Sequence, residues 1–276
     1  MNLRKLVCSA GCFIWLLTLG LSGAVCTAEE TLDCIPSILL LLLEDGSTAT
    51  VLSVSAGWDH TCAILDDTSL YCWGRNDLGQ LGIGNRQNTS RPVRVGTDVG
   101  WTAVRAGNNF TCGIRSGVTY CWGWNAHGSL GKATAGNIED QPVLVDGGHT
   151  FTDITVGRWH ACGITTGGLY CWGYNFNGQL GDGTNTNAES PLLIDAPNVW
   201  EAISASAYRT CGLKSGSAYC WGDGHPNTPT RVGTDTDWTA ISAGNDHTCG
   251  LRTAGVYCWG NNEFGQAGGS EPVVFT

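Results

Sequence analysis

Ten cysteines recur as five pairs, and each second cysteine sits in the tetrad Tyr-Cys-Trp-Gly. The pairs are Cys62 and Cys72, Cys112 and Cys121, Cys162 and Cys171, Cys211 and Cys220, and Cys249 and Cys258. Two chemistries use cysteine this way, a disulfide and a thiolate metal site. Structural zinc ligands usually stand two to four residues apart, whereas eight or nine residues intervene here. The hairpin between them favours the disulfide. In Cys112-Gly-Ile-Arg-Ser-Gly-Val-Thr-Tyr-Cys121 the midpoint falls at Ser116-Gly117, a pair suited to the positive φ of a two-residue turn. Counting outward sets Cys112 opposite Cys121 in a non-hydrogen-bonded pair about 4.5 Å apart at Cα, within disulfide reach. The same count centres on Thr166-Gly167 and Ser215-Gly216, while the first and last hairpins vary slightly.

Other catalytic or metal constellations are poor. Asp59 and Asp246 fall in equivalent loops and are the best carboxylate pair for acid/base work, but solvated loop aspartates are far commoner. Asp182-Gly-Thr-Asn185 lacks the spacing of a calcium loop and fits a turn. His60, His160 and His247 share a slot that holds Phe110 and Arg209 in the other repeats, so the slot is structural. No phosphate loop, nucleophile elbow or zinc-protease motif occurs. The expectation is no enzyme, no metal and no cofactor.

The N-terminus agrees with an oxidising destination. Arg4 and Lys5 precede an apolar run from Cys12 to Leu21, then Ser22, Gly23 and Ala24, with Ala28 beyond. Residues 1–28 are expected to be a signal peptide, leaving no membrane span once removed. Cleavage after Ala24 lets Cys26 pair with Cys34; cleavage after Ala28 leaves Cys34 odd. An uncleaved anchor and a lipoprotein at Cys26 are the competing uses of this segment. Residues 29–50 form an extension containing Ile38 to Leu43, a buried strand or short helix. With 14 Lys and Arg against 24 Asp and Glu, the chain carries a net charge of −10. Nucleic acid is excluded as a partner on that balance, since it needs clustered cations.

The elements that position the cysteines are strands. The leading cysteines are 50, 50, 49 and 38 residues apart, a period that signals stacked supersecondary units. The second unit contains Pro92-Val95, Trp101-Ala106, Phe110-Ile114 and Val118-Trp122, four runs rich in β-branched and aromatic residues. Four antiparallel strands in about 45–50 residues imply a propeller blade. The recurrent Trp73, Trp122, Trp172, Trp221 and Trp259 are expected between blades.

Trp-Gly-x-Asn-x-x-Gly-Gln-Leu-Gly at Trp73 to Gly82 and Trp172 to Gly181, a Pro-x-x-Val strand, and Ala-Gly-x-x-His-Thr at Ala56 to Thr61 together resemble the regulator of chromosome condensation (RCC1) repeat. The resemblance covers residues 51–276 and implies an all-β propeller. Its best-known members have seven blades and exchange guanine nucleotides on a small nuclear GTPase, and secreted bacterial relatives include a β-lactamase inhibitor protein. This chain departs from the nuclear members in its signal peptide, paired cysteines and lack of a basic tail, so no exchange residues carry over. Five hairpins predict five four-stranded blades. The terminal Pro272-Thr276 strand is expected to complete the blade begun by Val51 to Trp73; residues 36–43 are the rival, and an open array is the rival fold.

Function is expected where the framework varies. Strand order puts the loop at Gly107-Asn109 and the long loop from Gly123 on one face, opposite the Ser116-Gly117 turn. One variable slot holds Trp58-Asp59, Asn108-Asn109, Arg158-Trp159, Ala207-Tyr208 and Asn245-Asp246; another holds Arg75, Trp124, Tyr174, Asp223 and Asn261, with Phe176 and Phe264 nearby. Exposed aromatics with Arg, Asn and Asp have the composition of binding hot spots. The expectation is a protein-binding scaffold, secreted, periplasmic or at the cell surface, using Trp58, Asp59, Asn108, Asn109, Trp124, Arg158, Trp159, Tyr174, Phe176, Tyr208, Asp246 and Phe264. A sugar-binding propeller stacking on Trp124, Tyr174, Phe176 and Phe264, with glycoside hydrolysis as its extension, is the alternative.

Overall fold

The computed structural model describes residues 5–7, 13–15 and 50–268. The chain divides into two units, Met1–Cys34 and Ile35–Thr276. In the first, β1 (Lys5–Val7) pairs antiparallel with β2 (Phe13–Trp15). The expected extension at 29–49 and the closing strand at 272–276 lie outside the described residues.

The second unit is an all-β array of five antiparallel sheets among the described residues. Blade one is β3 (Val51–Ala56), β4 (His60–Leu65), β5 (Leu70–Gly74) and β6 (Thr89–Arg94). Blade two is β7 (Trp101–Ala106), β8 (Phe110–Arg115), β9 (Val118–Trp124) and β10 (Ile138–Leu144). Blade three is β11 (Asp153–Val156), β12 (His160–Thr165), β13 (Gly168–Gly173) and β14 (Ala188–Asp195). Blade four is β15 (Ala202–Ala205), β16 (Arg209–Lys214), β17 (Ser217–Gly222) and β18 (Thr230–Arg231). Blade five contributes β19 (Trp238–Ala243), β20 (His247–Arg252) and β21 (Gly255–Gly260).

The blade boundary falls one strand later than the unit taken from the sequence. The Pro-x-x-Val strand β6 pairs with β5, Cys72 opposite Val93, and so finishes the first blade instead of starting the second. The reason is covalent proximity: the Trp-Gly loop returns the chain beside the hairpin it has just left. Blade one therefore holds its own fourth strand.

The cysteine register is as counted. Cys62 faces Cys72, Cys112 faces Cys121, and the other three pairs follow, with Cα atoms 4.0–4.1 Å apart and all five disulfides formed. Ser116 and Gly117 have φ of 49° and 79°, Ser215 and Gly216 of 52° and 66°, as the turn requires. The Thr166-Gly167 turn keeps the register without positive φ at either residue; the positive value moves to Gly168. The β-branched Thr166 disfavours the left-handed region that Ser116 and Ser215 adopt.

Each joint between blades packs the disulfide face of one blade against a tryptophan face of the next. Cys62, Ile64 and Leu70 meet Trp101, Val104 and Trp122; Cys162, Ile164 and Leu169 meet Trp200, Ile203 and Trp221. Trp122, Trp172 and Trp221 are fully buried. Glycine is obligatory beneath these indoles: a Cβ at Gly82 would lie 2.6 Å from Trp122 Nε1, and one at Gly181 2.7 Å from Trp221 Nε1.

The shared histidine slot seals the joints on the axial side. Thr111 Oγ1 donates to the Gln80 carbonyl (2.8 Å), so it can only accept from His60, whose Nε2 lies 2.8 Å away. His160, Thr210 and Gln179 repeat the chain at 2.9 and 2.8 Å. Where Phe110 replaces the histidine, Ala161 replaces the threonine, and the two share one apolar cluster. Polar pairs with polar and apolar with apolar, because half a hydrogen bond in this setting leaves a buried group unsatisfied.

Four disulfides are fully buried, whereas Cys249 and Cys258 are only half-buried. Thiol–disulfide exchange needs access. Under limiting reductant, pulse alkylation and peptide mass spectrometry will find Cys249–Cys258 opening first and the other four only on unfolding.

Candidate functional site

Two loops of every blade are tied together on one face. The residue after Trp-Gly donates its N–H to a carbonyl in the first variable slot: Arg75 to Asp59 (2.8 Å), Trp124 to Asn109 (2.9 Å), Tyr174 to Trp159 (2.9 Å), Asp223 to Tyr208 (2.8 Å) and Asn261 to Asp246 (2.7 Å). The Asn of Trp-Gly-x-Asn, present in every repeat but the fourth, where Gly224 stands, holds the long loop from inside. Asn76, Asn125, Asn175 and Asn262 each accept the N–H five residues on at 2.9 Å. A rigid frame thus presents side chains free to vary.

On that face one cluster forms across blades one to four. The Arg158 guanidinium lies 4.7 Å from the Trp58 ring centroid, 4.3 Å from Trp159 and 5.6 Å from Tyr208, whose hydroxyl accepts from Nη1 at 2.8 Å. Trp159 stands edge-on to Tyr174 (5.5 Å) and Tyr208 (6.0 Å), and Tyr174 meets Phe176 at 5.0 Å. Trp58 and Phe176 are exposed, at 57% and 63%. Burial raises the Tyr174 pKa, with Tyr208 adding to it, so the Tyr174 phenol stays neutral. Arg158 has no carboxylate within salt-bridge distance among the described residues, and Arg158 Nε and Trp159 Nε1 have no acceptor there. The cluster therefore presents a stacked cation, packed phenols and two exposed rings, with the two orphan N–H groups buried beneath them.

Of the residues expected to bind, Trp58, Arg158, Trp159, Tyr174, Phe176 and Tyr208 come together. Asn108 is buried beside them at the axis, where a cavity of about 210 Å³ is lined by Gly57, Gly107, Gly157, Ser206 and Gly244, one from each blade. Asn109 and Trp124 are half-buried and joined through their backbones. Asp59 pairs with Arg75 at 3.3 Å, in a triad with Asp77. Asp246 and Phe264 stand exposed on the fifth blade, outside the cluster. Asp182 serves its own loop, accepting from Asn175 Nδ2 and the Thr184 N–H.

His127, outside both variable slots read from the sequence, joins the cluster, its ring lying 5.0 Å from Tyr174, 5.9 Å from Trp159 and 6.5 Å from Phe176. A signal existed: it occupies the loop position that holds Phe264 in the last repeat. A short 3-10 turn, Ala126–Gly128, with His127 at φ 58°, aims it across to the next blade.

The chain has relatives. A 93-residue stretch is 37% identical to the ultraviolet-B receptor UVR8 of Arabidopsis thaliana, covering 33% of this chain and 20% of that protein. Human WBSCR16 superposes with a TM-score of 0.70 at 18% identity, over 77% of this chain and 62% of that one. The ectodomain of the receptor kinase CR4 from Physcomitrella patens superposes at 0.53 and 25% identity, over 77% and 50%. The chain thus spans a fifth of that curated relative and half to three-fifths of these solved structures. The regulator of chromosome condensation (RCC1) repeat matches at 67–114, 116–164 and 166–213 in one form and at 51–80, 151–179 and 238–266 in another. Within the array the interval 214–237, which holds the shortened fourth loop, is unmatched, and with three stretches matched by each form of the repeat, together more than half of the chain, and the blade geometry in place, the chain belongs to the RCC1 repeat family.

Proposed function

We propose that this chain is a non-enzymatic protein-binding scaffold of an oxidising compartment, secreted, periplasmic or at the cell surface, that engages its partner through the Trp58–Arg158–Phe176 face. The observation that carries this reading is the contiguity of unlike residues: a stacked arginine, two indoles, two phenols and an exposed phenyl in one patch. Such centres, aromatic and arginine-rich, dominate binding energy in protein interfaces. A sugar-binding propeller would repeat one pocket from blade to blade. Here Trp124 and Phe264 lie outside the patch that holds Tyr174 and Phe176. Asp59 is tied to Arg75, which favours binding over glycoside hydrolysis.

The compartment rests on the disulfides, four of them in the joints, which a reducing cytosol would not maintain. The similarity to a receptor-kinase ectodomain agrees with it. Among the described residues no helix is long and apolar enough to cross a membrane.

The test uses the whole chain as bait against extracellular and surface proteins of its source, with chemical cross-linking and mass spectrometry. Cross-links will converge on the loops around Trp58 and Phe176, and Trp58→Ala or Arg158→Ala will weaken the captured complex by roughly 10- to 100-fold, about 1.4–2.8 kcal/mol. Ser116→Ala, on the opposite face, will not. Glycan-array binding with no protein captured would replace this reading by the sugar-binding one.

A further inference from the structure

Among the described residues the two ends of the array present unlike faces with no blade against them, and these faces are the two halves of the joint that the interior makes four times; on the blade-one face Trp73 is already buried, at 6%, while the aliphatic position beside it is open. One blade position is filled by Val104, Ile154 and Ile203 in blades two to four, at 0%, 1% and 8% exposure; in blade one it is Val54, at 62%. The opposing position holds Ile64, Ile114, Ile164 and Leu213, all at 4% or less; in blade five it is Leu251, at 44%. Terminal repeats usually carry a polar outer face. These carry aliphatic ones.

The polar elements of the joint are also present in halves. Ser55, Thr155 and Ser204 each accept the N–H of an alanine on the next blade at 2.9 Å; Ser242 holds that position on blade five, and Ala56 supplies the matching N–H on blade one. His247 and Thr61 correspond to the His60–Thr111 and His160–Thr210 pairs. Blade five keeps the full Gly265-Gln-Ala-Gly268 loop, the counterpart of the segment that caps Trp122 of the following blade. No hydrogen bond joins blade five to blade one among the described residues. A Cβ at Gly57, Gly107 or Gly157 would strike a carbonyl of the next blade, at 2.3, 2.9 and 2.2 Å; at Gly244 its nearest atoms are all from His247 of the same blade. A Cβ at Gly265 meets nothing within 4 Å, whereas the equivalent Gly79, Gly128 and Gly178 abut the next blade.

We propose that the chain self-associates head to tail, the blade-five face of one copy docking on the blade-one face of a second copy and rebuilding the missing joint through Leu251 on Val54 and His247 on Thr61. Such a contact is heterologous: the two patches differ, and either one disabled abolishes it in a homogeneous sample.

Analytical ultracentrifugation of the full secreted chain across concentration tests this. The wild type associates reversibly. Val54→Asp and Leu251→Asp, both at exposed positions and so compatible with folding, are each monomeric at the same concentration. Mixing the two variants restores one intact joint and gives a 1:1 dimer. A wild type that stays monomeric, or variants that associate alone, or a mixture that stays monomeric, overturns the proposal; the first result assigns the faces to closure within the chain or to its own flanking segments.

Discussion

Trp122→Ala will lower the stability of the oxidised protein by about 3–5 kcal/mol, the range for an aromatic side chain removed from a close-packed interior. The indole is fully buried between blades one and two, edge-on to Trp101 at 5.7 Å, and its Nε1 donates to the Gln80 carbonyl at 3.0 Å. Gly82 lies against the ring with no side chain to collapse into the void, so the site cannot heal by relaxation. The carbonyl itself keeps Thr111 as a donor. Trp122→Phe, which loses only the Nε1 bond and part of the ring, will cost less than half as much. Because repeat arrays hold together by nearest-neighbour joints, the damage will be local. Hydrogen exchange will show blade one losing protection first, and Cys62–Cys72 will become open to reductant below the global transition. Trp259→Ala, at a half-buried ring on the last blade, will cost no more than about 1–2 kcal/mol. Urea unfolding without reductant checks the series; equal losses at Trp122 and Trp259 would remove the joint from the account of stability.

Much of this was legible in the chain. The hairpin count placed all five disulfides because a ladder's register propagates from its turn, and the tetrad repeated without exception. The two loops sharing a face followed from strand alternation alone. The blade boundary was not legible: Pro92-Val95 is sequence-adjacent to both hairpins, and only the geometry of the returning loop decides which one it joins. The aromatic cluster was half legible. Variable slots identified Arg158, Trp159 and Tyr208, but which of them touch depends on loop reach across the axis. Trp58 of blade one thus meets Arg158 of blade three, while Trp124, in a slot equivalent to Tyr174, turns away from both. His127 was lost to a backbone at positive φ that its sequence does not advertise.

The histidine slot supplies the second large effect, an acid sensitivity built into two joints. Burial pushes the His60 pKa from 6.5 down to about 4, partly countered by Asp59, and that of His160 to about 3. Each ring holds its proton on Nε2, donating to Thr111 or Thr210, so acid must add the second proton to Nδ1, which is buried without a partner. Above pH 6.5 both rings are neutral in either state and the full stability is present. Below it the unfolded chain takes up protons that the folded chain refuses, and stability falls with pH until about 4 for His60 and about 3 for His160. At about 1.4 kcal/mol per pKa unit, the loss across its window is on the order of 3 kcal/mol for His60 and about 5 kcal/mol for His160. Aspartates and glutamates titrate in the same range, so the wild-type curve alone does not isolate the histidines. The chain's own apolar joint, Phe110 against Ala161, provides the control. His160→Phe with Thr210→Ala copies it in blade three, leaving no buried ring to charge and no hydroxyl lacking its donor. Urea midpoints measured from pH 7.5 to 4 will fall less steeply in the double variant, the difference approaching the contribution of one site. His160→Phe alone will flatten the curve equally but start lower, since Thr210 then has no histidine to accept from. Parallel curves for wild type and double variant would mean that the ring is protonated in the folded joint, and the joint would have to open to water before it unfolds.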